Sequence, residues 1–199
     1  MQLPADFDAL ASCLREAIAD VRPDISVYEL PAPRRVAPDA VAVGATVEHD
    51  DTELAAGRLV LLHDSEGQPA WEGTIRVVCY ARAVLDEEMA ADPMLPAVTW
   101  SWLMEALTSR GAAHRAAAGT VTVTSSRRFG ALAEPGALID DENAEADRHE
   151  VELRCSWSPE DADLAEHLLA FADLLALMSG LPPRVSGVVP LSARPGRGR

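Results

Sequence analysis

The chain has no lysine; all 17 of its basic residues are arginine. That absence removes whole classes of chemistry. A Walker A loop sets a lysine on nucleotide phosphates, and a pyridoxal enzyme holds its cofactor as a lysine Schiff base. Protein kinases need a strand lysine as well. Cysteine is scarce. Cys13, Cys79 and Cys155 are odd in number, far apart and set in apolar patterns. That predicts reduced thiols in a cytoplasmic core rather than a disulfide frame or a zinc cluster. No apolar run approaches the roughly 18 residues that mark a membrane span. The start, Met1 to Asp8, has neither a positive n-region nor an apolar h-region, so no secretory signal is expected. Positive charge is also short: 32 acidic residues against 17 basic give a formal charge of -15. Neither nucleic acid nor an anionic membrane is then an expected partner. Such a charge favours solubility and suits a basic partner.

Catalytic signatures are missing too. There is no Gly-x-Ser-x-Gly elbow and no protease-type cysteine motif. His149-Glu150 and Glu166-His167 lack the His-Glu-x-x-His spacing of a zinc helix, and His114 lies in a connection. Asp140, Asp141, Glu142 and Glu145 lack EF-hand spacing and read as a solvated loop. No metal or other cofactor is expected.

The densest structural information lies between Arg58 and Leu107. Residues 57–63 are apolar on both faces and predict a central strand, closed by a hairpin turn at Asp64-Ser65-Glu66-Gly67. A long strand follows. Trp71, Gly73, Ile75, Val77, Cys79, Ala81, Ala83 and Leu85 alternate on its core face. Its other face mixes Arg76, Val78, Tyr80, Arg82 and Val84, a pattern suited to solvent or to a partner. A helix begins at Pro96. Trp100, Leu103, Met104 and Leu107 form one stripe, with Val98 and Trp102 on nearly the opposite side.

Around this stretch, residues 5–20 predict a helix with Phe7, Leu10, Leu14, Ala17 and Ile18 on one face. The prolines of 23–38 mark an extended connector, and 40–49 alternate as a first strand. Gly111–Gly119 reads as a small-residue connection. Thr120–Ser126 and Val151–Trp157 read as two more strands. Ser158-Pro159-Glu160 reads as the cap of a last helix, ended by Gly180. Its stripe is Leu164, Leu168, Phe171, Leu175 and Met178, with Leu169 and Leu177 off that stripe.

The expected fold is therefore α+β: a five-stranded, largely antiparallel sheet with packed helices, in the order α-β-β-β-α-β-β-α. Residues 1–183 are expected to form one domain. It has a core over 39–181, a proline-rich connector over 23–38 and a flexible acidic loop over 130–148. A tail over 184–199 is expected to end in disorder.

Certain residues carry a resemblance. Arg58-Leu-Val-Leu-Leu-His-Asp64, Trp71-x-Gly73-x-x-Arg76, Asp92-Pro93-x-Leu95, Trp100-Ser-Trp102-Leu103, Gly119-Thr-Val-Thr122 and Phe129-Gly130 occur in that order. With this spacing the chain resembles the actinobacterial family called domain of unknown function 3000, over roughly residues 7–183. That resemblance implies no activity. The element order is also similar to the secretion-chaperone-like fold. This second resemblance implies a small, often dimeric protein that binds segments of other proteins.

Two groups of residues are candidates for function. Arg58, Arg76, Arg82 and Arg154 occupy predicted strands. If the register gathers them, with or without His63, they form an anion or carboxylate site. Glu72, Glu150 and Glu152 are available to neutralise them as cross-strand ion pairs. Val98 and Trp102 are the candidate partner surface, unless the first helix or the 86–95 connector buries them. His63-Asp64 are adjacent on a strand, so their side chains point to opposite faces and do not pair as base and orienter. The reading is a cytoplasmic, non-catalytic protein-binding or chaperone-like adapter that engages a protein partner or itself, with a homodimer possible. The alternative is a small-molecule binder or enzyme with a pocket between sheet and helices.

Overall fold

Period-two alternation sets the architecture. The computed structural model describes residues 6–129 and 147–182, and over these six strands form one sheet. They are β1 (Ile25–Leu30), β2 (Asp39–His49), β3 (Thr52–Gln68), β4 (Gly73–Leu85), β5 (His114–Arg127) and β6 (Asp147–Pro159). The helices are α1 (Phe7–Glu16), α2 (Glu87–Ala90), α3 (Leu95–Ser109) and α4 (Leu164–Met178). The spatial order is β1-β2-β3-β4-β6-β5, and each neighbouring pair is antiparallel. The α+β class and the antiparallel pairing are as expected; the strand count is six, not five.

The additional strand is β1, inside the stretch whose prolines mark a connector. Pro23, Pro31, Pro33 and Pro38 all fall outside Ile25–Leu30, so none removes a ladder hydrogen bond. Other boundaries differ from expectation as well. The chain reverses after β3 at Pro69–Glu72, where Glu72 has a φ of 54°, and Asp64–Gly67 remain within β3. β5 starts at His114, because the Ala-rich run continues as strand through a bulge between Arg115 and Ala118. Ser158 and Pro159 end β6 instead of capping a helix, and α4 starts at Leu164. The Ser158 hydroxyl is already committed, donating to the Trp71 carbonyl at 2.5 Å. Asp147 and Arg148 belong to β6, whereas 130–146 and the 184–199 tail lie outside the described residues.

One face of the sheet carries the helices and the main core. Leu168, Phe171, Leu174 and Leu175 of α4 are fully buried there, with Leu10 and Leu14 of α1 and Leu103 and Leu107 of α3. Each such side chain contributes about 1.5–3 kcal/mol by leaving water. Leu169 is buried too, so α4 is covered on more than one side. Its ring Phe171 sits on Gly57, where an added Cβ would lie 2.8 Å from the ring. Arg110 clamps Asp173 with two hydrogen bonds of 2.6 and 2.9 Å, joining α3 to α4. Gly111 and Gly180 end these two helices at positive φ. In each case the next residue bonds back to the final turn (Ala112 N–H to Leu107 O and Leu181 N–H to Ala176 O, both 2.9 Å). No helix among the described residues is long and apolar enough to cross a membrane.

The opposite face has a smaller apolar cluster at one end. Ala42, Val60, Leu62 and Trp71 form it, with Leu30, Ala37 and Ala40 packed alongside. Trp71 thus leaves the core face of β4 expected from alternation, because the one-turn helix Pro69–Trp71 precedes the strand and breaks its period.

Candidate functional site on the helix-free sheet face

The register builds one row across all six strands of the helix-free face. Tyr28 lies opposite Gly44, Gly44 opposite Arg58, and Arg58 opposite Tyr80. Tyr80 lies opposite Arg154, and Arg154 opposite Thr120. Their neighbours Val43, Leu59, Cys79 and Leu153 point into the main core, so this row points away from the helices. Gly44 permits a close approach: an added Cβ would meet the Tyr28 ring at 2.6 Å. Tyr28 remains 45% exposed, giving the row an accessible aromatic.

Arg58 occupies the middle of this row. It is exposed and makes no hydrogen bond or ion pair among the described residues. The other arginines are engaged. Arg82 meets Glu53 at 2.5 Å and Glu150 at 3.1 Å, and Arg148 shares Glu150 at 2.7 Å. Arg154 meets Glu152 at 2.5 Å and lies over the Tyr80 ring, 5.3 Å from its centroid. The Tyr80 hydroxyl donates to Glu152 at 3.0 Å. The bond from Arg154, followed by that from Tyr80, lowers the Glu152 carboxyl pKa against the opposing effect of burial. Burial, and then the bond to Glu152, raises the Tyr80 phenol. The bond to Glu152 raises the Arg154 guanidinium.

Arg76 shares the face but not the role. It is buried, and its guanidinium donates to Ala116 O at 3.0 Å, Ser158 Oγ at 3.1 Å and Ser156 Oγ at 2.8 Å. Burial lowers its pKa, against the raising effect of Glu72. These contacts tie β4 to β6 and to the β5 bulge. The strand register therefore gathers Arg58, Arg82 and Arg154, with Arg76 anchoring one end.

His63 is separated from the arginines. It pairs with Ile75 on β4 and is buried. Its ring stacks on Phe7 of α1 at 5.9 Å, and Nδ1 lies 3.1 Å from Asp39. Asp64 turns instead to Gln68 and the Glu66 N–H. Val98 and Trp102 are both half-buried on α3, and Trp102 packs against the main core.

Sequence reasoning does not place two members of the row. Tyr28 reads as a connector residue that docks on the domain with Leu30, not as part of a strand, and Gly44 is the one residue without a side chain in the alternating run Val41–Val47. A glycine inside a strand is itself a signal of close approach.

At the β3–β4 reversal a cleft of about 700 Å³ opens, lined among others by Glu66, Glu72, Arg115 and Glu160. It lies at an end of the sheet. Between sheet and helices the described residues pack a continuous apolar core. No curated protein and no solved structure matches the chain. Residues 3–189 do match the family model described as Protein of unknown function (DUF3000), and the chain belongs to that family.

Proposed function

We propose that this is a non-catalytic protein-binding protein, chaperone-like in receiving a segment of another chain on the helix-free sheet face. Arg58 carries the proposal: an exposed cation in the middle of a six-stranded face, with no partner among the described residues. Tyr28, Tyr80 and the exposed Val78 surround it. The occupant is an acidic segment with apolar side chains. Its carboxylates would pair with Arg58 and Arg154, and its apolar groups would cover Val78 and Tyr28. Arg58, Arg82, Arg148 and Arg154 are matched in number there by Glu53, Glu150, Glu152 and Glu48, which the register sets opposite Glu53, whereas the whole chain carries -15. Fields fall off within about 8 Å at physiological salt, so the local sign governs docking. A basic partner, which the net charge alone would suit, would set its charge against Arg58.

Val98 and Trp102 are the rival surface. A photoreactive residue at position 78 or at position 98 of the full chain, exposed to native cell extract, separates the two. The expected product links position 78 to a protein segment of net negative charge. Products from position 98 alone, or none from either site, would count against this face. Small-molecule binding is the second reading, and the cleft beside Arg115 favours it. Three glutamates line that cleft, and Arg115 is held by the Glu72 carbonyl at 2.7 Å, so its ligand would be cationic.

A further inference from the structure

We propose that Cys79 and Cys155 are a redox-responsive dithiol, which a peroxide-class oxidant closes into a disulfide between β4 and β6. The two residues are direct antiparallel partners. Residues so opposed have Cα atoms about 4.5–5.5 Å apart, inside the roughly 4.4–6.8 Å that a disulfide spans. Both side chains lie in the helix-facing core, and both thiols are free. The third thiol, Cys13, lies on α1 and pairs with neither strand.

The surroundings distinguish the two sulfurs. Cys79 is 1% exposed and Cys155 5%. On the edge strand β5, the residue opposite Cys155 is Gly119. An added Cβ there would lie 2.6 Å from the Cys155 Cβ, so only glycine fits and residue 119 places no side chain over that flank. The hydrogen bond to Cys155, followed by burial, raises the Cys79 thiol well above its usual range, so Cys79 keeps its proton and does not start the reaction. Cys155 meets the oxidant first. Its sulfur attacks one peroxide oxygen, the O–O bond breaks, and a sulfenic acid and one water form. The Cys79 sulfur then attacks that sulfenic sulfur. The S–S bond forms as the S–O bond breaks, and the Cys79 proton leaves with the hydroxyl as a second water. Two thiols are oxidised by two electrons and one peroxide is reduced to two waters. In a reducing compartment the pair returns to the dithiol.

The test treats the folded full chain with hydrogen peroxide, blocks remaining thiols and maps peptides without reduction. The expected result is a peptide linking Cys79 to Cys155, an intact mass lower by two hydrogens, and reversal by dithiothreitol. The same link should form in Cys13→Ser. Recovery of Cys79 and Cys155 as free thiols while Cys13 is oxidised would overturn the proposal, as would a link from either core cysteine to Cys13.

Discussion

Two arginines on one face show how environment divides a single residue type. Arg76 is buried and satisfied by neutral oxygens, so its charge is spent on structure; Arg58 is exposed and unengaged. Of the two, only the second is available to a partner. His167 is the comparable case among histidines. It is fully buried in α4, accepts from the Trp157 indole at 3.0 Å on Nδ1, and its Nε2 has no partner among the described residues. Burial lowers its pKa to about 4, with Asp161 opposing and His114 reinforcing the shift. The folded pKa lies below the unfolded value, so the unfolded chain takes the proton first as the medium acidifies. Stability from this group is complete above about pH 6.5 and is lost progressively down to about pH 4, by roughly 3 kcal/mol in all. Urea unfolding at several pH values should show a smaller acid loss for His167→Gln than for wild type. An equal loss in both would mean that His167 does not titrate in this way.

At the scale of elements, the longest alternating runs were legible and the irregular joints were not. The β4 face from Ile75 to Leu85 and the α4 stripe from Leu164 to Met178 are buried as their spacing requires. β1 escaped because prolines at both ends suggest a connector, whereas an edge strand tolerates them just outside its ladder. β5 was shortened because alanine and glycine have little strand propensity, and Arg76 holds that bulge from a distant strand. The Ser158-Pro159 pair resembles a cap locally, but its hydroxyl belongs to the Arg76 and Trp71 contacts. Of the candidate site, the four arginines could be seen on strands; their sharing of a face, and His63 leaving it, depended on register. Gly57 provides the test of helix-to-sheet packing. A methyl there would lie 2.8 Å from both the Phe171 ring and the Tyr80 carbonyl. Gly57→Ala should lower stability by about 1–3 kcal/mol, and Phe171→Leu in the same chain should recover part of that loss. Additive losses in the double variant would argue against this contact.

For the whole molecule, the described helices all pack on one face of the sheet, and sequence separation says little about the charge of the other. A chain of -15 carries there a cluster in which arginines equal glutamates in number, with ion pairs along and across strands and Arg58 unpaired among the described residues. The helix layer braces the sheet from behind: α4 is buried against it and bonded to α3 through Asp173. Binding at such a site should weaken as salt rises, since the rim charges are exposed. The most direct measurement is the Kd of the acidic segment captured at position 78, made as a peptide, for wild type and for Arg58→Glu. The account predicts at least a tenfold weakening, about 1.4 kcal/mol, with unfolding midpoints unchanged. Equal affinities for the two chains would contradict the assignment of Arg58 and with it the helix-free face as the binding surface.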